Sequence, residues 1–168
     1  DPKEPVSFKF LELQPLIFWK IYGESVHGDK GKSFRFMDKP TEEEILTEMG
    51  GSYTRGTKFQ SNEPAEAKET YVWPIYDYKN SMVRILEADQ YQILKDIRKH
   101  SLNRKYPDLS EWDFCLSLDR DGGRWNYQVQ IEPQAEEDQP EVEAAWEKVK
   151  SKGFDLKKLL TYEDPFGG

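Results

Sequence analysis

The chain has little of what staples a fold or carries catalysis. Its 168 residues include one cysteine, Cys115, and two histidines, His27 and His100. One thiol excludes an internal disulfide, and one Cys with two scattered His does not give the ligand spacing of a zinc site. Cys115 falls mid-strand, the setting of a half-buried structural thiol. No apolar run approaches the ~18 residues of a membrane span. The first residues, DPKEPVSF, lack the basic and apolar regions of a secretion signal, so a cytoplasmic protein with no membrane partner is expected. There is no GxxxxGK[ST] phosphate loop and no HExxH, and neither histidine stands beside a Ser or Cys in a local catalytic motif. Glu111, Asp119 and Asp121 are the acids that a magnesium-dependent nuclease would use, but Asp beside a turn is common for conformational reasons. The expectation is a non-catalytic protein with no metal and no cofactor.

Hydrophobic residues are also scarce, at 36%, while charged residues reach 33%. Aromatics run the other way at 14%, so some rings are expected at a working surface, the alternative being a small β core filled by rings. The net charge of -8 taken alone argues against a nucleic-acid partner. The acidity is uneven, however. Between residues 71 and 131 nine Lys/Arg balance nine Asp/Glu, whereas from 132 to 168 ten acids face five Lys, a net of -5. The body is therefore able to present a basic groove.

Along the chain, residues 16–22 alternate as a strand, with Ile17, Trp19 and Ile21 on one face. Phe18, Lys20 and Tyr22 share the other, the mix a binding surface needs. Residues 33–37 read as a short strand. Thr41 and Glu44 form a capping box for a helix ending near Met49, stopped by Gly50-Gly51. In the polar segment that follows, Tyr53, Arg55, Lys58 and Phe59 interleave rings with cations as a single-strand clamp does; the alternative is an ordinary surface loop. The run YVWPIYDY puts Tyr71, Trp73 and Ile75 on one side and Val72, Tyr76 and Tyr78 on the other, with Pro74 pointing to an edge strand or a bulge. Asn80-Ser81 turns the chain into a strand with Val83 and Ile85 inward and Arg84 outward. Asp89 is the expected N-cap of a helix to about Leu102, whose basic end, Lys95, Arg98, Lys99 and His100, complements the dipole. Around the turn Asp121-Gly122-Gly123, the residues Trp112, Phe114, Leu116, Leu118, Trp125, Tyr127, Val129 and Ile131 alternate inward, leaving Arg124, Asn126, Gln128 and Gln130 outward. A Pro, Gln and acid linker leads to a helix around Val142, Ala145, Trp146 and Val149.

A long strand, a strand pair, a helix and a second strand pair is the order of an OB-fold. The expected fold is mainly β with α: a five-stranded Greek-key barrel with a helix between strands three and four. Residues 1–132 form the binding domain, with 38–70 as an insertion loop between strands one and two. Residues 133–168 form an acidic linker, short helices and a flexible acidic C-terminal tail.

The run YVWPIYDYKNSMVRILEADQYQILKDIRKH resembles the core of a family of bacteriophage single-stranded DNA-binding proteins. They share a W-P-x-Y/W-x-Y strand, a short turn, a V-x-I-L/F-E strand and a helix opening on T/D-Q. The later strand pair and the acidic tail ending in D-P-F-G-G are similar to the same family, so the likeness covers roughly half the chain. It implies an OB-fold that coats and protects single-stranded DNA during phage replication, recombination and repair in the host cytoplasm. Trp73, Tyr76 and Tyr78, with Arg84 and Arg124, would then supply the binding strands. The residue reading adds Tyr53, Arg55, Lys58 and Phe59, and Phe18, Lys20 and Tyr22. Rings would stack on bases at about 1–3 kcal/mol each. In the tail, Glu163, Asp164, Pro165 and Phe166 resemble the tips by which bacterial single-strand binders recruit a polymerase, helicase or primase. Weak or cooperative self-association goes with that reading. The alternative is an acidic adaptor of the replication machinery that does not touch DNA; a small nuclease is a third.

Overall fold

A computed structural model describes residues 4–167. Asp1 to Lys3 of the N-terminal arm, Gly168 at the end of the tail and the side chain of Asp121 lie outside the described residues. Among the described residues eight strands form one antiparallel sheet: β1 (Val6–Phe10), β2 (Leu16–Ser25), β3 (Lys32–Phe36), β4 (Tyr53–Arg55), β5 (Lys68–Asp77), β6 (Met82–Ala88), β7 (Trp112–Asp121) and β8 (Arg124–Pro133). The helices are α1 (Glu42–Met49), α2 (Tyr91–Ser101) and α3 (Gln139–Ser151).

β5 is the axis of the sheet. One of its edges pairs with β6 from Tyr71 to Asp77. The other edge is shared, with β1 beside Ile75 to Asp77 and β2 beside Lys68 to Val72. β1 and β2 are therefore two halves of one line, broken around Gln14-Pro15. Pro74 sits opposite the break, and its carbonyl accepts the Leu11 N–H at 3.0 Å. A strand residue points its N–H and C=O to the same side, so the N–H that Pro74 lacks faces the break rather than β6. This corrects the expected edge strand: β5 is interior, and the gap accommodates the proline.

The main core lies on one face of β1, β5, β7 and β8: Phe8, Phe10, Trp73, Ile75, Phe114 and Val129, sealed by Ile93 and Ile97 of α2. α2 begins at Tyr91 with Gln90 as its cap, and Asp89, expected in that role, lies 3.6 Å from Lys20 as an ion pair instead. The capping box at Thr41 and Glu44 is present. Segment 38–70 is more than an insertion loop. Its α1 and β4 pack Ile45, Met49 and Tyr53 against Ile21 and Phe34, a second core beside the first, and β4 pairs with β2.

The sheet is open and eight-stranded among the described residues, which corrects the expected five-stranded barrel. Among the described residues no ladder joins β6 to β8. The free edge of β8 is satisfied by side chains of α2 instead. Gln92 Oε1 accepts the Tyr127 N–H at 2.8 Å, and Asp96 Oδ2 accepts the Val129 N–H at 2.9 Å. His100 Nε2 lies 2.7 Å from the Val129 carbonyl, so that nitrogen donates. These residues recur every fourth position on one helix face and stand in for a neighbouring strand.

The segment after β8 is folded against the body, in place of the expected flexible tail. α3 lays Val142, Ala145, Trp146 and Val149 over Tyr76 and Val83 on the outer face of β5 and β6. A 3-10 turn, Leu156–Thr161, follows beside β3, where the Leu159 carbonyl accepts from Arg35 Nη1 at 3.2 Å and the Tyr162 hydroxyl accepts the Arg35 N–H at 3.2 Å.

Candidate nucleic-acid interface

The expected aromatic platform on β5 is buried from both sides. Trp73, 5% exposed, points into the main core, where its Nε1–H donates to the Leu13 carbonyl at 3.2 Å and its ring stacks on Tyr71. Tyr76 points the opposite way and is buried under α3, edge-on to Tyr78 at 5.3 Å. Tyr78 donates to Asp113 and is half-buried. Phe18 is fully buried, with the Arg35 guanidinium 5.8 Å from its ring and the Tyr162 ring on the guanidinium's other contact. None of these faces is open for stacking on a base.

Most of the expected cations are tied to carboxylates. Lys20 pairs with Glu87 at 3.3 Å and with Asp89. Arg55 forks onto Glu42 and donates its Nε–H to the Ala65 carbonyl at 2.6 Å, which ties β4 to α1 and to the segment before β5 within the insertion. Lys58 pairs with Glu63 at 3.1 Å and Glu66 at 3.7 Å, and Glu63 is the first cause that raises its pKa. Arg84 reaches buried Asp77 at 3.1 Å. Burial opposes ionisation of Asp77, but hydrogen bonds from Asn80, Arg84 and the Lys79 backbone outweigh it and hold the carboxyl below its ordinary range. Tyr53 packs edge-on against Phe34. Tyr22, Phe59 and Arg124 are exposed, and the Tyr22 ring lies across Gly31, where a Cβ would fall 1.9 Å from the hydroxyl.

What stays open is a groove of about 740 Å³ between α2 and the β7–β8 pair. Lys95 and Lys99 of α2 line one wall; Ser117, Asn126, Gln128 and Gln130 line the other. Two carboxylates share it with the lysines: Asp96 accepts the Val129 N–H, and Asp119 the Arg120 N–H at 2.8 Å. Beyond the groove the β7–β8 hairpin carries Arg120 and Trp125, with the guanidinium 5.3 Å from the ring centroid. Trp125 was expected inward but is 43% exposed. Among the described residues β1 pairs with β7 only from Phe114 to Leu116, so the sheet narrows to the β7–β8 pair at the hairpin tip, and the main core does not extend to Trp125. Chemically the groove offers two ammonium groups for phosphates, side-chain amides for base edges and one ring for stacking.

The sequence reading placed Lys95 and Lys99 in a dipole-complementing cluster and missed the groove they share with β8. The available signal was the polar series Gln92, Asp96, His100 on a helix face adjoining the apolar stripe. At the other end of the chain, the tail tip is docked. Phe166 packs on Phe154 at 5.2 Å, Asp164 Oδ1 accepts the Phe166 N–H, Pro165 is buried and its carbonyl accepts the Asp155 N–H, and Glu163 accepts from Thr161. Among the described residues no helix is long and apolar enough to cross a membrane, and no cluster of three metal-ligating side chains forms. No protein-family model, curated protein or solved structure matches the chain.

Proposed function

We propose that this chain is a non-catalytic single-stranded DNA-binding protein whose nucleic-acid contacts lie in the α2–β8 groove and on the β7–β8 hairpin, not on β5. The observation that carries the reading is the uncovered groove, where Lys95 and Lys99 face Asn126, Gln128 and Gln130 next to an exposed Trp125. Two further points support it. Within the open sheet the run β6-β5-β1-β7-β8, with α2 between β6 and β7 in sequence, supports the OB-fold reading, a partly open barrel that binds oligonucleotides. The likeness of the YVWPIYDY segment to phage single-strand binders points the same way. On this reading the W-P-x-Y-x-Y motif is a structural signature: it fixes the strand that the rest of the sheet hangs on. Recruitment of a polymerase, helicase or primase through the tail requires Phe166 to leave Phe154.

Four cations, Lys95, Lys99, Arg120 and Arg124, neutralise at most four phosphates, so the logarithm of affinity falls against log salt with a slope no steeper than about -3. Titration of poly-dT at two salt concentrations with the full chain tests this. Lys95→Glu with Lys99→Glu abolishes binding at moderate salt, and a wild-type chain that ignores poly-dT at low salt overturns the reading. The acidic-adaptor alternative is favoured by one observation, the burial of Trp73, Tyr76 and Phe18. It is distinguished by a chain that binds a replication protein through Phe166 and never binds DNA.

A further inference from the structure

The Phe59 loop is built to hold one ring in solvent. Lys58 N–H donates to the Glu63 carbonyl at 2.8 Å, Ala65 N–H to the Gly56 carbonyl at 2.9 Å, and Thr57 bridges Pro64. The Lys58 ion pairs to Glu63 and Glu66 close the same finger. At its tip Phe59 is 90% exposed. An ordered finger with an uncovered ring at its end has the form of an anchor.

A matching socket lies elsewhere on the molecule. Phe10, Trp73, Ile97, Tyr106 and Leu109 line a half-enclosed pocket of about 330 Å³ at the end of α2. A cavity of about 150 Å³ already takes a benzene ring. Apolar side chains are left uncovered here: Leu13 in its wall is 43% exposed, and Leu102, which follows the lining residue Ser101 in sequence, 72%. Three polar side chains in the wall already have partners inside the chain. Ser101 Oγ donates to the Arg98 carbonyl, Trp73 Nε1 to the Leu13 carbonyl, and Asp108 Oδ1 accepts from Ser110 twice. That suits a hydrocarbon ring better than the edge of a nucleobase. Charge agrees as well. Residues 57–66 carry one Lys and two Glu, while 98–108 carry four Lys/Arg and one Asp.

We propose that the chain associates head to tail with itself, the Phe59 finger of one copy seated in the Trp73–Tyr106 pocket of the next. Finger and socket are different patches, so the contact is heterologous and grows open chains. It goes beyond the DNA-binding reading and does not depend on it. On a DNA strand long enough for several copies, the same contact would make neighbours bind cooperatively. A contact of one ring and a charged rim belongs to the weak class, with a dissociation constant on the order of 10–100 µM.

Sedimentation of the full chain without DNA decides the matter. Wild type gains mass steadily with concentration. Phe59→Ala and Ser101→Trp, both at exposed positions, each weaken association about thirtyfold and stay monomeric. An equimolar mixture of the two forms dimers and nothing larger, because one variant offers only a socket and the other only a finger. A wild-type chain that stays monomeric, a Phe59→Ala chain that still grows, or a mixture without dimers overturns the proposal. So does a Ser101→Trp chain that loses affinity for a one-copy oligo-dT while Phe59→Ala keeps it, since the socket would then hold a base.

Discussion

Tyr78, just past β5, donates its hydroxyl hydrogen to Asp113 Oδ1 on β7 across 2.7 Å, where the first turn of α3 lands on the sheet. Gln139 of α3 joins them, 3.4 Å from the Tyr78 oxygen, and accepts from Lys9 at 2.7 Å. Burial pushes the Asp113 carboxyl up from 3.8 to about 6; the Tyr78 hydrogen bond and Lys9 pull it down, while Glu132 and Asp138 push it up. Burial also raises Tyr78.

A carboxyl whose folded pKa is raised favours the folded chain fully only below its unfolded value. That contribution is lost as pH rises from about 4 through about 6, and it is on the order of 2–3 kcal/mol. Urea midpoints should therefore fall across this window. Asp113→Asn keeps an acceptor for Tyr78 and removes the charge, so its midpoint stays flat from pH 4 to 7. A mutant curve that tracks wild type across that window removes Asp113 as the cause.

Asp77 works in the opposite sense. It accepts from the Lys79 and Asn80 backbone, from Asn80 Nδ2 at 2.7 Å and from Arg84, and so fixes the β5–β6 turn, in which Ser81 has a φ of 50°. Its pKa is lowered, so its contribution is present above the unfolded value and is lost as pH falls below about 4. Asp77→Ala costs about 2–3 kcal/mol at neutral pH, measured by urea unfolding, because it strands several donors at once. A loss under 0.5 kcal/mol would show that water replaces the carboxylate.

The order of elements was legible because alternation of period two and helical stripes survive in a sequence of this composition. The inward faces of most of β7 and most of β8 read correctly for that reason. The faces of β5 did not, since Trp73 and Tyr76 are both buried, one by the sheet's own core and the other by a helix that begins more than sixty residues later. Aromatic residues on both faces of a strand signal two layers of cover as readily as one binding surface. The cations misled for a related reason. Lys20 finds Glu87 and Arg55 finds Glu42, partners that no local pattern reveals. The tail tip Glu163 to Phe166, expected to meet a partner, meets the chain itself, with Phe166 on Phe154 and the Pro165 carbonyl on the Asp155 N–H.

Trp125 and Trp73 make opposite predictions for fluorescence. Trp125 stands on the open hairpin over Arg120, while Trp73 is held in the core by Leu13. Oligo-dT should quench the intrinsic tryptophan signal, and Trp125→Phe should remove most of that quench, whereas Trp73→Phe leaves it. Trp125→Ala should weaken binding by about 1–3 kcal/mol, the value of one stacked base. Quenching that survives Trp125→Phe and disappears in Trp73→Phe would return the binding surface to β5.

Gly167 controls whether the tail tip is available. Its φ is 79°, and a Cβ there would stand 2.2 Å from the Lys152 carbonyl oxygen, backbone that cannot swing aside. Gly167→Ala therefore meets strain from both its own dihedral and its neighbour, costing roughly 1–2 kcal/mol. The local tip should yield before the whole sheet does, because Phe166 is a half-buried side chain at the margin of the Tyr76–Val83–Val142 cluster, beside Phe154, which in turn packs on Trp146 at 5.3 Å. The expected result is limited proteolysis within residues 154–167 at unchanged far-UV dichroism, with a shift in Trp146 emission. Phe166→Ala should reproduce the shift without the dihedral strain. If Gly167→Ala is as protease-resistant as wild type, the close approach to Lys152 does not hold the tip, and Phe166 needs no release to meet a partner.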